Sequence, residues 1–256
     1  MRFTEYGRNN RQVVLLLPGT CCTVSMSFSG VIPALREKYY VVGIDYTGFD
    51  GSGRDFTDMT DTAERIERYV VNTFGGRVFA IYGSALGASL AAQLAERRVI
   101  CAEHIILGSP DLEQEDNRDK AYLRSQTVAD LLCGLITKNT VAGFLEKLVR
   151  RKYGEEQAEM ASAIMGDISN VAMKTNRRSV ARQYYYDLIT PVGLNISVPD
   201  TRFHIFYAAK MGKKYLKRCY AHFFDPHIIT RDYAQEELLL FHPDEWLRDF
   251  EECVGG

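Results

Sequence analysis

Short apolar runs alternate with longer amphipathic ones along this chain. "RQVVLLLPGT" predicts a buried strand that stops at Pro18-Gly19. "YYVVGID" predicts a second strand, followed by the glycine-rich loop "YTGFDGSG". "TDMTDTAERIERYVVNTFGG" carries Ile66, Tyr69, Val70 and Phe74 at helical spacing. Thr60 or Asp61 is expected to cap that helix, Glu64 falls near the capping-box position, and Gly75-Gly76 ends it. "RVFAIYG" and "AEHIILGSPD" predict two further strands, with the helix "ASLAAQLAERR" between them. From about residue 113 to 200 the strands cease, and charged helical stretches such as "SQTVADLLCGLITKN" and "VARQYYYDLI" take over. "TRFHIFYAAKMG" then restores a strand, "KKYLKRCYAHFFD" a helix and "HIITRD" a short last strand. "PDEWLRDFEECV" closes as a helix with Pro243 at its start.

Strands alternating with helices predict an α/β fold: a mostly parallel central sheet covered by helices on both faces. The helical block sits between sheet elements, so it is expected to be an inserted cap. The predicted division is a core of residues 1–112 and 201–256 and a cap of 113–200. A chain of 256 residues suffices for such a core without covalent staples.

Charge narrows the partners. With 31 basic and 33 acidic side chains and a net charge of -2, the chain has no general positive field for nucleic acid. No apolar run is long enough for a membrane span, and "MRFTEYGRNNRQ" is too polar for a signal peptide. The six cysteines include no C-x-x-C pair and no zinc spacing with histidine, so reduced thiols, a cytoplasmic setting and no metal are expected. Cys21-Cys22 is a vicinal pair, which bridges only under strain, and is read as two thiols. No organic cofactor is required.

The most informative stretch is "VFAIYGSALGASLAAQLAERR", Val78 to Arg98. A strand runs into Gly83-Ser84-Ala85-Leu86-Gly87 and then into a helix. This is the spacing of a nucleophile elbow, in which two glycines let strand and helix approach closely around a strained central residue. The centre here is Ala85. Ser84 is one position early and is expected to point away from the pocket, and Ser89 lies a turn into the helix.

"LLLPGT", "YGSALG", the helical insertion and the late "RDYAQEELLLFHPDEW" come in an order that resembles the α/β-hydrolase superfamily over essentially the whole chain. The nearest resemblance is to small bacterial cytoplasmic esterases and acyl hydrolases with a helical cap. The resemblance implies an α/β-hydrolase fold and a site built from a serine, a histidine and an acid. It puts Ala85 in the nucleophile slot. The relatives' histidine, in a stretch reading roughly H-x-E-L-L, falls on Gln235, whose amide accepts no proton near neutral pH. The usual acid position reads Lys210-Met211-Gly212, and Asp111, one strand earlier, is the candidate acid, with a turn or N-cap role equally open. Oxyanion donors are expected from Leu86 and from Thr20 or Cys21 beside Gly19, and Ser84 is grouped with these ligand-contacting residues. Asp45 is expected to anchor the glycine-rich loop and Asp232 to order the histidine loop.

Two departures from the triad favour a non-catalytic member that holds a small acyl or ester-like ligand, because triad residues act as a unit. The alternatives are an esterase whose serine was exchanged for Ala85, an unconventional nucleophile at Ser84, Cys21 or Cys22, a displaced base at His242, or an interaction platform. A homodimer is left open. Leu131, Leu132, Leu135, Phe144, Met160, Met165 and Tyr184 to Tyr186 are the cap's candidates for lining a pocket, and Lys147 to Tyr153 form a basic patch.

Overall fold

The computed structural model describes residues 1–137 and 177–255. Seven strands form one sheet: β1 (Arg2–Tyr6), β2 (Val13–Leu17), β3 (Tyr40–Asp45), β4 (Arg77–Ser84), β5 (Cys101–Gly108), β6 (Arg202–Ala208) and β7 (His227–Arg231). The spatial order is β1-β3-β2-β4-β5-β6-β7. Only β1 runs antiparallel; every other pairing is parallel. The central strands are buried on both faces, which is why they read as continuous apolar runs, with all of Val13–Leu17 buried.

The helices are α1 (Val24–Phe28), α2 (Ile32–Lys38), α3 (Met59–Phe74), α4 (Leu86–Arg97), α5 (Arg118–Thr137), α6 (Arg177–Ile189), α7 (Lys213–His222), α8 (Glu237–Phe241) and α9 (Pro243–Val254). Alternate strand residues divide the core in two. Leu15, Leu17, Ile81, Ile105 and Ile205 meet α3, α4 and α7 on one face. Leu16, Ala80, Tyr82, Ile106 and Phe206 meet α1, α2 and α9 on the other. Trp246, Phe250 and Cys253 supply the α9 contact; their spacing of four and then three residues puts them on one side of the helix.

Three elements lay outside the sequence expectation. β1 is half polar, because it is an edge strand that pairs on one side only, with Phe3 stacked on Tyr69 at 3.9 Å. α1 and α2 are single or double turns, too short to show a helical period. Two anchors also differ from expectation. α3 begins at Met59, capped by Asp58, whose carboxylate accepts from Asp61 N–H at 2.7 Å, so Thr60 and Asp61 stand inside the first turn. Asp45 holds the start of α1, accepting from Val24 N–H at 2.7 Å, and pairs with Arg2 at 2.6 Å. The glycine-rich loop is held instead by Ser179 of α6, whose hydroxyl accepts from Phe56 N–H at 3.1 Å.

Among the described residues no disulfide forms, and no helix is long and apolar enough to cross a membrane. α5 and α6 pack against each other. Ala129, Val180 and Ala181 from this pair close over Phe49 to make a third, smaller apolar cluster that also touches Cys21 and Cys133. Phe144, Met160, Met165 and the basic run Lys147 to Tyr153 lie outside the described residues, as do the side chains of Leu131, Leu132 and Leu135.

Candidate functional site

At the C-terminal ends of the parallel strands, five non-glycine residues hold positive φ: Cys21 (61°), Ala85 (45°), Ser109 (46°), Leu112 (46°) and Glu236 (65°). They stand in the segments that follow β2, β4, β5 and β7. Such conformations cost on the order of 1–3 kcal/mol each and persist only where the surroundings over-determine them.

The elbow is over-determined by its glycines. A Cβ on Gly83 would lie 2.0 Å from the Gly87 carbonyl oxygen, and one on Gly87 would lie 2.2 Å from that of Leu17. Strand and helix therefore meet more closely than any other residue allows. Ala85 takes φ 45° and ψ −110°, and its N–H donates to the Gly108 carbonyl at 3.0 Å. Leu86 opens α4, so its N–H is one of the first-turn donors without an intrahelical partner. A Cβ on Gly19 would reach the Ala85 methyl at 3.6 Å, so the loop after β2 lies against the elbow.

That loop has one donor already in use. Cys21 N–H donates to the side-chain carbonyl of Gln183, on α6, at 2.8 Å. Gln183 is fully buried. Of the two early-loop donors expected from sequence, Cys21 is thus committed to the chain's own side chain. The Cys21 and Cys22 thiols are also poor nucleophile candidates. Burial pushes both up, Cys22 to about 12 with a further contribution from the Glu236 charge.

Gln235 reaches the same region, its side-chain N–H₂ donating to the Ser109 carbonyl at 3.2 Å. The chain therefore brings Gly19, Ala85 and Gln235 together at neighbouring strand ends. The loop that carries Gln235 is held by Glu237, which accepts from Ala234 N–H at 2.8 Å, and by Tyr233, whose hydroxyl donates to Glu245 at 2.7 Å. Asp232, expected to order this loop, is exposed. Lys210, in the usual acid position, lies 3.9 Å from the Glu237 carboxylate.

Ser84 departs from its grouping with the ligand-contacting residues. It is 1% exposed, on the α1 and α9 side of the sheet, and its hydroxyl donates to the Glu236 carboxyl. Period-2 alternation from Tyr82 turns it under the elbow rather than into the pocket. Burial raises the Glu236 carboxyl to about 7, against the smaller lowering by Ser84. Asp111 accepts from Glu113 N–H at 3.1 Å, the turn geometry of an Asx residue, and burial raises its pKa. Its electrostatic neighbour is Asp187 of α6, which burial and then the Asp111 charge push up to about 7. His242 stacks on Tyr233 with centroids 4.4 Å apart at the junction of α8 and α9, a turn position.

Glu236, Gln183 and Asp187 were not singled out by sequence reading. Gln183 and Asp187 are four apart, so they share one face of α6, a signal hidden by the tyrosine triplet between them. Of those tyrosines, Tyr186 packs on the main core, Tyr184 pairs with Arg124, and Tyr185 meets Tyr122 edge to face. Among the described residues, Gln183 Nε2, Asp187 Oδ1 and Glu236 Oε1 are enclosed without a hydrogen-bond partner.

The parallel sheet, the glycine-clasped elbow and the inserted helices define an α/β hydrolase, and the profile of the Alpha/beta hydrolase family matches residues 14–191. The chain belongs to that family. Solved structures agree on the fold. An alpha/beta hydrolase family protein from Desulfitobacterium hafniense superposes with a TM-score of 0.74 at 15% identity, covering 98% of this chain and 99% of that one. An esterase from Exiguobacterium antarcticum gives 0.71 at 15% identity over 99% and 95%. The enol-lactonase from Burkholderia xenovorans LB400 gives 0.70 at 13% identity over 100% and 96%. No curated protein matches the sequence.

Proposed function

We propose that this chain is a non-catalytic member of its family that holds a small acyl or ester-like ligand at the elbow. The observation that carries this reading is the pairing of a retained strained elbow with a methyl at its centre and a glutamine beside it. Ala85 keeps φ 45° with no oxygen to present, and Gln235 spends its amide N–H₂ on Ser109. Neither side chain moves a proton. What remains is binding chemistry: the Leu86 and Thr20 amides for a ligand oxygen, the apolar cluster of Phe49, Ala129 and Val180, and enclosed polar atoms on Gln183 and Asp187. The esterase and lactonase among the structural neighbours are consistent with an acyl ligand.

The test compares p-nitrophenyl butyrate hydrolysis by the chain, by Ala85→Ser and by Ala85→Ser with Gln235→His, alongside melting curves with short-chain acyl carboxylates and amides. The chain and the single variant are expected to be silent, and the double variant to hydrolyse the ester. A saturating ligand, near a hundred times its dissociation constant, should raise the melting temperature of the unaltered chain by about 5 °C or more. Turnover by the unaltered chain, or no ligand-dependent shift across the series, would overturn the reading.

A further inference from the structure

At the opposite end of the sheet from the elbow, three histidines and a cysteine form a row. Parallel register puts His204, near the start of β6, directly beside His227, the first residue of β7. Both lie on the face covered by α9, two residues before Phe206 and Ile229 of that core. Helix α9 lays Trp246, Phe250 and Cys253 onto the same face, so its last turn brings Cys253 to the pair. His204 Nδ1 is 3.3 Å from His227 Nδ1, and Cys253 Sγ is 3.9 Å from His227 Nδ1. All three ligand atoms fall within 4.8 Å of one another. On the far side, His204 Nε2 meets His104 Nδ1 at 3.1 Å.

We propose that His204, His227 and Cys253 form a binding site for a zinc-like divalent cation. Zn–N bonds of about 2.0 Å and a Zn–S bond of about 2.3 Å in a tetrahedron set ligand atoms about 3.3 Å apart for N···N and about 3.5 Å for N···S. The imidazole pair already has this separation, and Cys253 Sγ, 3.9 Å from His227 Nδ1, must draw in to reach it. Two imidazoles and one thiolate are the donor set that suits zinc. Ligation through His204 Nδ1 leaves the proton on Nε2, where it donates to His104 Nδ1. That contact fixes the ring and its tautomer, as the outer partner of a metal-bound histidine does. His204 and Cys253 are buried while His227 is exposed, so a cation has a route in and the fourth position faces solvent. A cleft of about 800 Å³ lined by Phe79, His104, Arg202 and Val254 borders the row. This site is separate from the elbow and stands or falls independently of the acyl-ligand reading. Local spacing gave no sign of it, because the ligands are separated by 23 and 26 residues and meet only through strand register and a helix face.

The experiment is a Zn²⁺ titration of the chelator-treated full chain against a chromophoric competitor, repeated with Co²⁺ for its spectrum. One equivalent should bind, and Co²⁺ should show a thiolate charge-transfer band with tetrahedral d–d intensity. His227→Ala, at an exposed position, should weaken binding at least tenfold and Cys253→Ser should abolish the charge-transfer band. Cys101→Ser, at an exposed cysteine outside the row, should leave both unchanged. Absence of stoichiometric binding, or binding that persists in His227→Ala with Cys253→Ser, would overturn the proposal and leave the row as a ladder of shared protons. Circular dichroism of each variant separates a lost ligand from a lost fold.

Discussion

A single backbone angle at Ala85 separates what the elbow is from what it does. Its φ of 45° and ψ of −110° are imposed from outside, by the contact of Gly83 with Gly87 and of Gly87 with Leu17. Opposite responses to two small substitutions follow. Ala85→Gly releases the side-chain strain and loses only one methyl, so it should raise stability by about 1 kcal/mol after the entropy cost of glycine. Gly87→Ala pushes a methyl into backbone and should lower stability by about 2 kcal/mol or more. Urea unfolding of the two variants measures both, and a shift of the same sign in each would contradict an externally imposed turn. The glycines of this elbow were legible in the sequence, since each has a steric reason. Glu236 beneath it was not, because a buried carboxyl on Ser84 depends on which way a loop folds back.

Among the elements, α6 does most to shape the pocket. It comes from the predicted cap, yet Ser179 holds the loop after β3, Gln183 takes the Cys21 N–H and Asp187 sits against Asp111 and Ser89. A side-chain carbonyl from this helix thus occupies one donor that a ligand oxygen could otherwise use. Gln183→Ala would leave a buried N–H unpaired and should cost about 1–2 kcal/mol. Hydrogen exchange at the Cys21 amide should accelerate in that variant; unchanged protection would mean that the bond does not hold the loop. The strands after β1 and the helices α3, α4 and α9 were read from periodicity, with β4 and α4 as the plainest cases, whereas the stretch quoted for α5 begins at Ser125, seven residues inside the helix. The exceptions, β1, α1 and α2, are an edge strand and very short helices whose identity comes from neighbours rather than from their own pattern.

For the whole molecule, two enclosed carboxyls tie stability to pH. Glu236 and Asp187 are both raised to about 7 by burial, above the values they take in an unfolded chain. The native state therefore holds more protons than the unfolded one between the carboxylate range and neutrality. Their contribution is fully present below about pH 4 and is lost as pH rises through about 7. Stability should fall by about 2–3 kcal/mol for each group, about 5 kcal/mol together, between pH 5 and pH 8, and Glu236→Gln with Asp187→Asn should flatten that slope. Chemical denaturation at stepped pH measures the effect, and an equal slope in the double variant would remove these two groups as its source. A slope of this kind was beyond reach of the sequence, where both residues look like ordinary surface acids. The architecture itself was legible because a parallel sheet demands buried strands and crossover helices. The two ends of that sheet were unequally so: the elbow lies in one contiguous stretch, whereas the row of histidines is assembled from three strands and a distant helix.

The clasp of Gly83 and Gly87 has one more consequence. Because the turn is shaped by its neighbours, position 85 behaves as a socket whose orientation does not depend on its occupant. Serine, cysteine or aspartate placed there would each be presented along the same direction, before the same amides and under the same helix. The chain is thus a blank on which the intrinsic reactivity of different nucleophiles can be compared with every other part of the scaffold held constant.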